Sequence, residues 1–421
     1  MIAISNEYTG NNENMLRQIG MLFLFLFFFL FCIGNAIGVP IPYELVFYFS
    51  IIIAILLLII DPTQLSKYKQ YFIWQAVFLF AMLVSCIYTI NTENRFDLIL
   101  SYCKIILKIT TVVIICRDFG GLKKLLHFFS FLGFFIFLIL FFTGRINDEF
   151  RLGTDLLGNA NTFAMLIMVM AIGSIYYVFT IKKKILIPLY LVFSAADLYL
   201  IFLSGGRKFI IFLIVFVFVS FIIRTEKGQI KNAIISVIVV SVLVLLGYQI
   251  IMATPALYKT IGIRLIGVGT EAGALGTSDQ KTLMFRGIEM FVQKPIFGFG
   301  IGGYQQYSYY YYDKYIYSHS NYIELLANFG IVGFSIYYFR YLKNFAILLK
   351  QKHKSTDEMR LFLPLMFSIA FIDVFSVSFN QTAFIPLFIM FISGFADDLE
   401  NTNKETKEVK DNSIDFANNC L

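Results

Sequence analysis

The chain has 421 residues, of which 58% are apolar, 18% aromatic and only 14% charged. A soluble domain usually carries about 45–50% apolar and about 25% charged residues. A water-soluble globule, a disordered chain and a nucleic-acid-binding domain are therefore excluded, despite a net charge of +7; the composition is that of an integral membrane protein.

The first apolar stretch, 15–38, is longer than the core of a signal peptide and has no small-residue cleavage site at its end, so it reads as a span. A helix needs roughly 20 apolar residues to cross the hydrocarbon core with every backbone group bonded internally. That rule predicts about twelve transmembrane helices, at 15–38, 43–60, 71–90, 98–116, 125–142, 161–180, 185–204, 208–223, 232–251, 321–341, 361–379 and 383–396. The expected fold is an all-α polytopic membrane protein. Residues 1–251 hold spans one to nine, 252–320 one large extracytoplasmic loop, 321–396 spans ten to twelve, and 397–421 a charged, Asn-rich cytoplasmic tail.

Lysine and arginine set the orientation. With the N-terminus inside, the cytoplasmic segments carry Arg17, Lys67, Lys69, Arg117, Lys123, Lys124, Lys182, Lys183, Lys184, Arg224, Lys227 and Lys231. Arg340, Lys343, Lys350, Lys352, Lys354 and Arg360 follow the tenth span. The short outer loops hold only Arg95, Arg145, Arg151, Arg207 and Lys208. Both termini are expected to be cytoplasmic, in a cell membrane. The five cysteines show neither metal spacing nor a disulfide framework.

The loop over 252–318 far exceeds the usual limit of about 12–15 residues, beyond which a loop is functional or disordered. Its mixed charge, helical stretch, Gly-rich turn and Tyr cluster favour function. Ser278 or Asp279 is expected to cap its helix, and Lys294-Pro295 to end it.

Where this loop meets span ten the sequence reads Tyr317-Ser318-His319-Ser320-Asn321-Tyr322-Ile323-Glu324. His319 is the one histidine on the outer side, since His127 and His353 fall on the cytoplasmic side. A neutral imidazole there can take a proton from a sugar hydroxyl as a general base. The alternative is an interfacial histidine that bonds Asn321 or water and caps the helix.

Arginines form a second signal. Ser204-Gly205-Gly206-Arg207-Lys208 joins spans seven and eight, and its glycines allow a tight turn and a close backbone approach. Arg286 lies on the loop helix, and Arg264 and Arg151 are further outer candidates. Guanidinium groups grip phosphate oxygens in pairs, which suits a lipid-linked diphosphate, although arginines at span ends also anchor headgroups.

Within the spans, Lys104 and Lys108 share one helix face, and Asp197 and Asp373 are further intramembrane charges, some of which are expected to pair. Gly298-Phe-Gly300-Ile-Gly302-Gly303 contains G-x-G-x-x-G, but it follows a helix and Pro295 rather than opening a βαβ unit, so a dinucleotide site is excluded. The Tyr run from Tyr304 to Tyr322 offers faces and hydroxyls to sugars, or forms an interfacial belt. No P-loop, zinc-type cluster or D-x-D pair occurs, so a metal-bridged nucleotide-sugar transferase is disfavoured and no cofactor is expected.

Three stretches together carry a resemblance: Pro295-Ile-Phe-Gly298-Phe-Gly300-Ile-Gly302, His319-Ser-Asn321-Tyr-Ile-Glu324 and Gly330-Ile-Val-Gly333. With Ser204-Gly-Gly-Arg207, the Gly158-Asn-Ala-Asn161 start of span six, about twelve spans and the outer loop, the chain resembles the O-antigen polymerase and O-antigen ligase superfamily. The resemblance implies metal-free, inverting glycosyl transfer at the outer membrane face, from a glycan on undecaprenyl diphosphate to a glycan acceptor. It implies that Arg207 and Arg286 hold the diphosphate and that His319 orients or deprotonates the attacking hydroxyl. Arg264, Arg151, Asn321, Glu324 and Tyr304 are the expected substrate contacts. The expected partners are this lipid-linked oligosaccharide, the acceptor, the bilayer and a chain-length regulator; nucleic acid is not among them. Three readings stand: a polymerase joining repeat units, a ligase moving a finished glycan, and a lipid-linked oligosaccharide flippase. The one-sided loop favours transfer.

Overall fold

The computed structural model describes residues 2–37, 41–147, 151–157, 159–223, 230–262, 271–352, 356–380 and 383–419. Among the described residues the chain is helical, without strands. The longer helices are α1 Ile2–Ile37, α2 Tyr43–Ile60, α3 Lys69–Ser85, α4 Arg95–Cys116, α5 Phe119–Phe142, α6 Ala160–Thr180 and α7 Ile187–Ser204. They continue as α8 Arg207–Ile223, α9 Ile230–Ala253, α10 Glu271–Gln293, α11 Gly303–Tyr312, α12 Asn321–Lys350, α13 Asp357–Ile372 and α14 Phe384–Asn419. Among the described residues, 7 helical stretches are long and apolar enough to cross a membrane: Asn12–Asn35, Tyr43–Ile60, Arg95–Cys116, Phe119–Phe142, Ala160–Thr180, Lys184–Ser204 and Asn321–Lys350. The protein is therefore a polytopic, all-α membrane protein.

The remaining predicted spans also fall on helices, with corrected ends. Span three closes at Ser85 rather than at 90, and span eleven at Ile372 rather than at 379. The near-absent loop expected before span twelve is instead a segment running from Asp373 to the start of α14. The loop helix α10 already runs at Glu271, ahead of the caps expected at Ser278 or Asp279, and it does end before Lys294-Pro295.

The core is centred on α6, which packs on α5, α7 and α8. Of its membrane-length window 72% is buried inside the protein, against 28% for the peripheral α2. Small residues let these helices meet closely, as is usual where lipid gives no hydrophobic drive to association. A Cβ at Gly173 would stand 2.4 Å from the Leu126 carbonyl, and one at Gly133 would stand 2.1 Å from Asp197 Oδ1.

The intramembrane charges do not pair with one another as expected. Asp197 is buried and accepts a bond from Ser174 Oγ at 3.0 Å. Asp373 is held by uncharged groups, Lys104 is exposed, and Lys108 stands 3.7 Å from Glu44. Asp373 is thus satisfied by local donors, whereas Asp197 Oδ1 has no hydrogen-bond partner among the described residues.

The two ends of the bundle differ. At the end holding the α12 C-terminus, ion pairs Arg340–Asp397, Lys343–Glu400, Lys67–Asp398 and Lys123–Asp357 tie helices together. At the other end the α7–α8 turn, the loop before α12 and the segment after α13 come together.

Candidate active site

Two glycines explain why the turn after α10 takes its shape. Helix α12 breaks at Gly330, whose φ of 61° and ψ of −164° no residue with a side chain adopts readily. The break leaves carbonyls and amides without helical partners, and the turn following Pro295 supplies them. Phe299 N donates to the Ala327 carbonyl at 2.9 Å and Gly300 N to the Asn328 carbonyl at 2.7 Å, while Ile331 N donates to the Pro295 carbonyl at 2.8 Å. A Cβ at Gly298 (φ 66°) would meet the Asn328 carbonyl carbon at 2.5 Å. The turn also engages the segment after α3: Thr89 Oγ1 donates to the Ile301 carbonyl at 2.7 Å, and Ile301 N donates to Ser85 Oγ at 3.1 Å. The Gly-rich motif is thus an interlock between the turn after α10 and the broken helix α12.

The interlock positions α10 and α11. Tyr304 is buried, with its N–H on Asn328 Oδ1 at 2.8 Å and its hydroxyl donating to the Leu283 carbonyl at 2.7 Å. It joins α11, α12 and α10. Arg286, on α10, is half-buried and pairs with Glu289 at 2.7 Å, with its guanidinium 5.7 Å from the Tyr311 ring. A hydrogen bond to Glu289 and one to Tyr312 raise its already high pKa.

Beyond α11 the chain runs extended into His319, which has φ 62°, a left-handed conformation unusual for a residue with a side chain. Backbone strain of this kind costs on the order of 1–3 kcal/mol and persists only where the surroundings enforce it. Those surroundings are the other residues of the motif. On one side Ser318 N donates to Glu324 Oε2 at 2.7 Å, and Asn328 Nδ2 donates to Glu324 Oε1 at 3.3 Å. On the other, Ser320 caps α12, and Asn321 N donates to the Asp373 carbonyl at 2.8 Å. Asn321 Oδ1 accepts from Ser378 N at 3.0 Å and Phe379 N at 3.1 Å. Its Nδ2 donates to the Tyr338 hydroxyl at 2.7 Å and Asp373 Oδ2 at 3.3 Å, and Asp373 also accepts from Tyr338 and Ser378. Asn321 and Glu324, expected at the substrate, lie buried in the frame on either side of His319.

A cationic group faces His319. Helix α7 ends at Ser204, Gly205 turns with φ 69°, and Arg207 opens α8. Arg151 Nε donates to the Ser204 carbonyl at 2.9 Å and its Nη2 to Asn161 Oδ1 at 3.4 Å, so the loop before α6 is fixed to this turn. Lys208 Nζ donates to Ser376 Oγ at 3.0 Å, and among the described residues no carboxylate lies within ion-pair distance of it. The Lys208 ammonium acts electrostatically on both Arg151 and His319. Burial first, and Lys208 second, push the His319 imidazole down from 6.5 to about 4, so at neutral pH it is uncharged.

The structure therefore brings together Arg151, the Arg207 turn and His319, gives Lys208, which the sequence reading named only as part of that turn, a place beside His319, and adds Ser376, which it did not name. Lys208 left a signal, an ammonium in the first turn of a span; Ser376 left none. Arg286 stands apart from this group, its contacts lying with Glu289, Tyr311 and Tyr312. Arg264 and Gly158 lie outside the described residues.

Residues 189–338 match the O-antigen ligase family. The match runs from α7 to Tyr338 in α12, so it covers Arg207, Lys208, Arg286 and the whole frame from Ser318 to Asn328, while Arg151 and Asp373 fall outside it. No curated protein matches the chain. The chain is thus similar to membrane proteins of O-antigen ligase and polymerase type, as its motifs indicated. At this end of the bundle the His319 imidazole is uncharged at neutral pH and feels the Lys208 charge, which in turn feels that of Arg151.

Proposed function

We propose that the protein is a polysaccharide polymerase that transfers a glycan from undecaprenyl diphosphate to the hydroxyl of a glycan acceptor. In this reading about twelve spans cross the cell membrane with both termini inside, and the reaction occurs at its outer face. The observation that carries it is the pairing of an uncharged, strained His319 with the cations Lys208 and Arg151 at one end of the bundle.

Lys208, Arg151 and Arg207 bind the donor's diphosphate, and Arg286, which stands apart from them on α10, holds the donor from the loop side. The acceptor oxygen attacks the anomeric carbon from the face opposite the diphosphate, the carbon–oxygen bond to phosphate breaks, and undecaprenyl diphosphate leaves with the bonding electrons, inverting the centre. The cations stabilise that developing charge. An imidazole near pH 4 is a weak base, so it takes the hydroxyl proton late, once the oxygen has bonded to carbon and become strongly acidic, and passes it to water. No catalytic carboxylate is required, because a diphosphate is already a good leaving group; Glu324 and Asp373 serve the frame.

A second reading, ligase transfer of a finished glycan to lipid or protein, is favoured by the description of the matched family. Glycan gels from a strain lacking the protein distinguish the two: single capped repeats indicate a polymerase, free long chains a ligase, and glycan trapped inside a flippase. Restoring the gene as His319→Ala, Arg207→Ala or Arg286→Ala is expected to give protein in the membrane but no product. Wild-type chain lengths from His319→Ala would remove the proposal.

A further inference from the structure

The segment between α11 and α12 has a two-residue periodicity that the chemistry at His319 does not use. In an extended chain alternate side chains point the same way. Ser318 and Ser320 turn inward and are buried, and Ile316 is held from behind by Ser308, whose Oγ accepts from Ile316 N at 2.9 Å. Of the alternate residues, Tyr315 is exposed and Tyr317 and His319 are half-buried. The Tyr317 and His319 ring centroids are 4.5 Å apart. Tyr315 stacks on Tyr309 of α11 at 4.5 Å and 12°, and its hydroxyl donates to Glu93 Oε2 at 3.4 Å. Aromatic pairs thus stand at both ends of the segment, Tyr309–Tyr315 at the exposed end and Tyr317–His319 at the imidazole.

We infer that this track, Tyr309–Tyr315–Tyr317, is the acceptor subsite, and that it takes a chain of pyranose rings whose terminal hydroxyl is delivered to His319. The inference rests on the transfer reading above. Sugar rings present flat C–H faces to aromatic faces and hydroxyls to carboxylates, and the track offers both, with Glu93 at its edge. From Tyr315 to His319 an extended chain covers about 13 Å, enough for a few sugar rings. A lipid-facing aromatic belt would not carry Glu93, Asp313 and Lys314, all exposed beside the rings. The track joins the imidazole directly, so a bound acceptor ends where the proton must leave. The cations that would hold the donor lie on the α7–α8 side, so donor and acceptor approach from different elements.

The test uses the full-length protein in lipid nanodiscs, with the undecaprenyl-diphosphate-linked repeat unit as donor and an oligosaccharide of the same repeat as acceptor. Tyr315→Ser and Tyr317→Ser are each expected to raise the acceptor KM about three- to tenfold with donor KM held, and kcat is held in Tyr315→Ser, whose ring does not touch His319. Phe at either position is expected to bring the acceptor KM back toward wild type, since the ring face remains. Wild-type acceptor KM in both Ser variants, or a rise confined to the donor KM, overturns the subsite. If Tyr317→Ser fails to accumulate, the exposed Tyr315→Ser carries the test. Full turnover by His319→Ala would instead strike the transfer reading, an outcome separable from any result at the tyrosines.

Discussion

Asn321→Ala isolates what holds His319 in place. The Asn321 side chain accepts from two buried amides, Ser378 N and Phe379 N, and donates to Tyr338 and Asp373. Truncation strands both amides, at about 1–3 kcal/mol each, or about 2–6 kcal/mol together. The left-handed backbone of His319 stores on the order of 1–3 kcal/mol. The loss is therefore at least comparable to the strain being held, and the loop relaxes to negative φ, swinging the imidazole away from Lys208. The bundle survives, because its core around α6 and the Arg340–Asp397 tie do not involve this corner. The measurement is hydrogen exchange of detergent-purified protein, read at Ser318 to Ser320, beside turnover. Exchange there is expected to quicken roughly 30-fold or more, as about 2 kcal/mol implies, with turnover lost and the α6 amides unchanged. Wild-type exchange at Ser318 to Ser320 together with wild-type turnover would refute the frame.

Other consequences are simpler to state. His319→Gly and His319→Ala both lose the imidazole, but Gly tolerates φ 62°, so the Gly variant should melt above the Ala variant by about 1 kcal/mol of stability. Because His319 titrates at about 4 folded and 6.5 unfolded, the unfolded chain takes the proton first as pH falls; the stability linked to this group is intact above 6.5 and drains away down to about 4. The acid limb of kcat/KM should accordingly fall near 4, and Lys208→Met should move it upward; an unmoved limb would separate Lys208 from the imidazole. Gly330→Ala, whose Cβ would meet the Ile296 carbonyl oxygen at 2.3 Å, should destabilise by about 2 kcal/mol or more, while Gly144→Ala, with nothing within 4 Å, should cost about 1 kcal/mol of φ strain alone.

Much of this was legible in the sequence because membrane insertion is a severe filter: apolar stretches had to be helices, and each predicted span falls on one. Span ends were less legible. Asp373 lies beyond the α13 helix because its carboxylate closes a polar hub with Asn321 and Tyr338, a long-range event that no hydropathy window registers. His319 stood out by its setting at the mouth of a span. Asn321 and Glu324 were recognised as important, but whether a polar residue faces substrate or protein depends on tertiary partners fifty residues away, such as Ser378. Arg286 illustrates the converse, since its place on α10 was foreseen but its pairing with Glu289 and Tyr312 was not.

The same partition accounts for why the motifs look as they do. In the proposed chemistry the residue that handles a proton needs a fixed direction, and a loop does not hold one unaided. The chain solves this by breaking α12 at Gly330, so that the turn after Pro295 bonds to the helix itself and the loop between α10 and α12 is anchored by backbone contacts. From that anchor Asn328 reaches both Tyr304 N and Glu324, and Glu324 reaches Ser318 N, one residue before His319. Glycines, amides and the Glu324 carboxyl of the motif thus form one relay of hydrogen bonds from the helix break to the Ser318 backbone beside His319. Gly298→Ala, far along the chain from His319, should therefore lower turnover as well as stability, and a variant that lost stability with turnover per folded molecule unchanged would show that the relay stops at the turn.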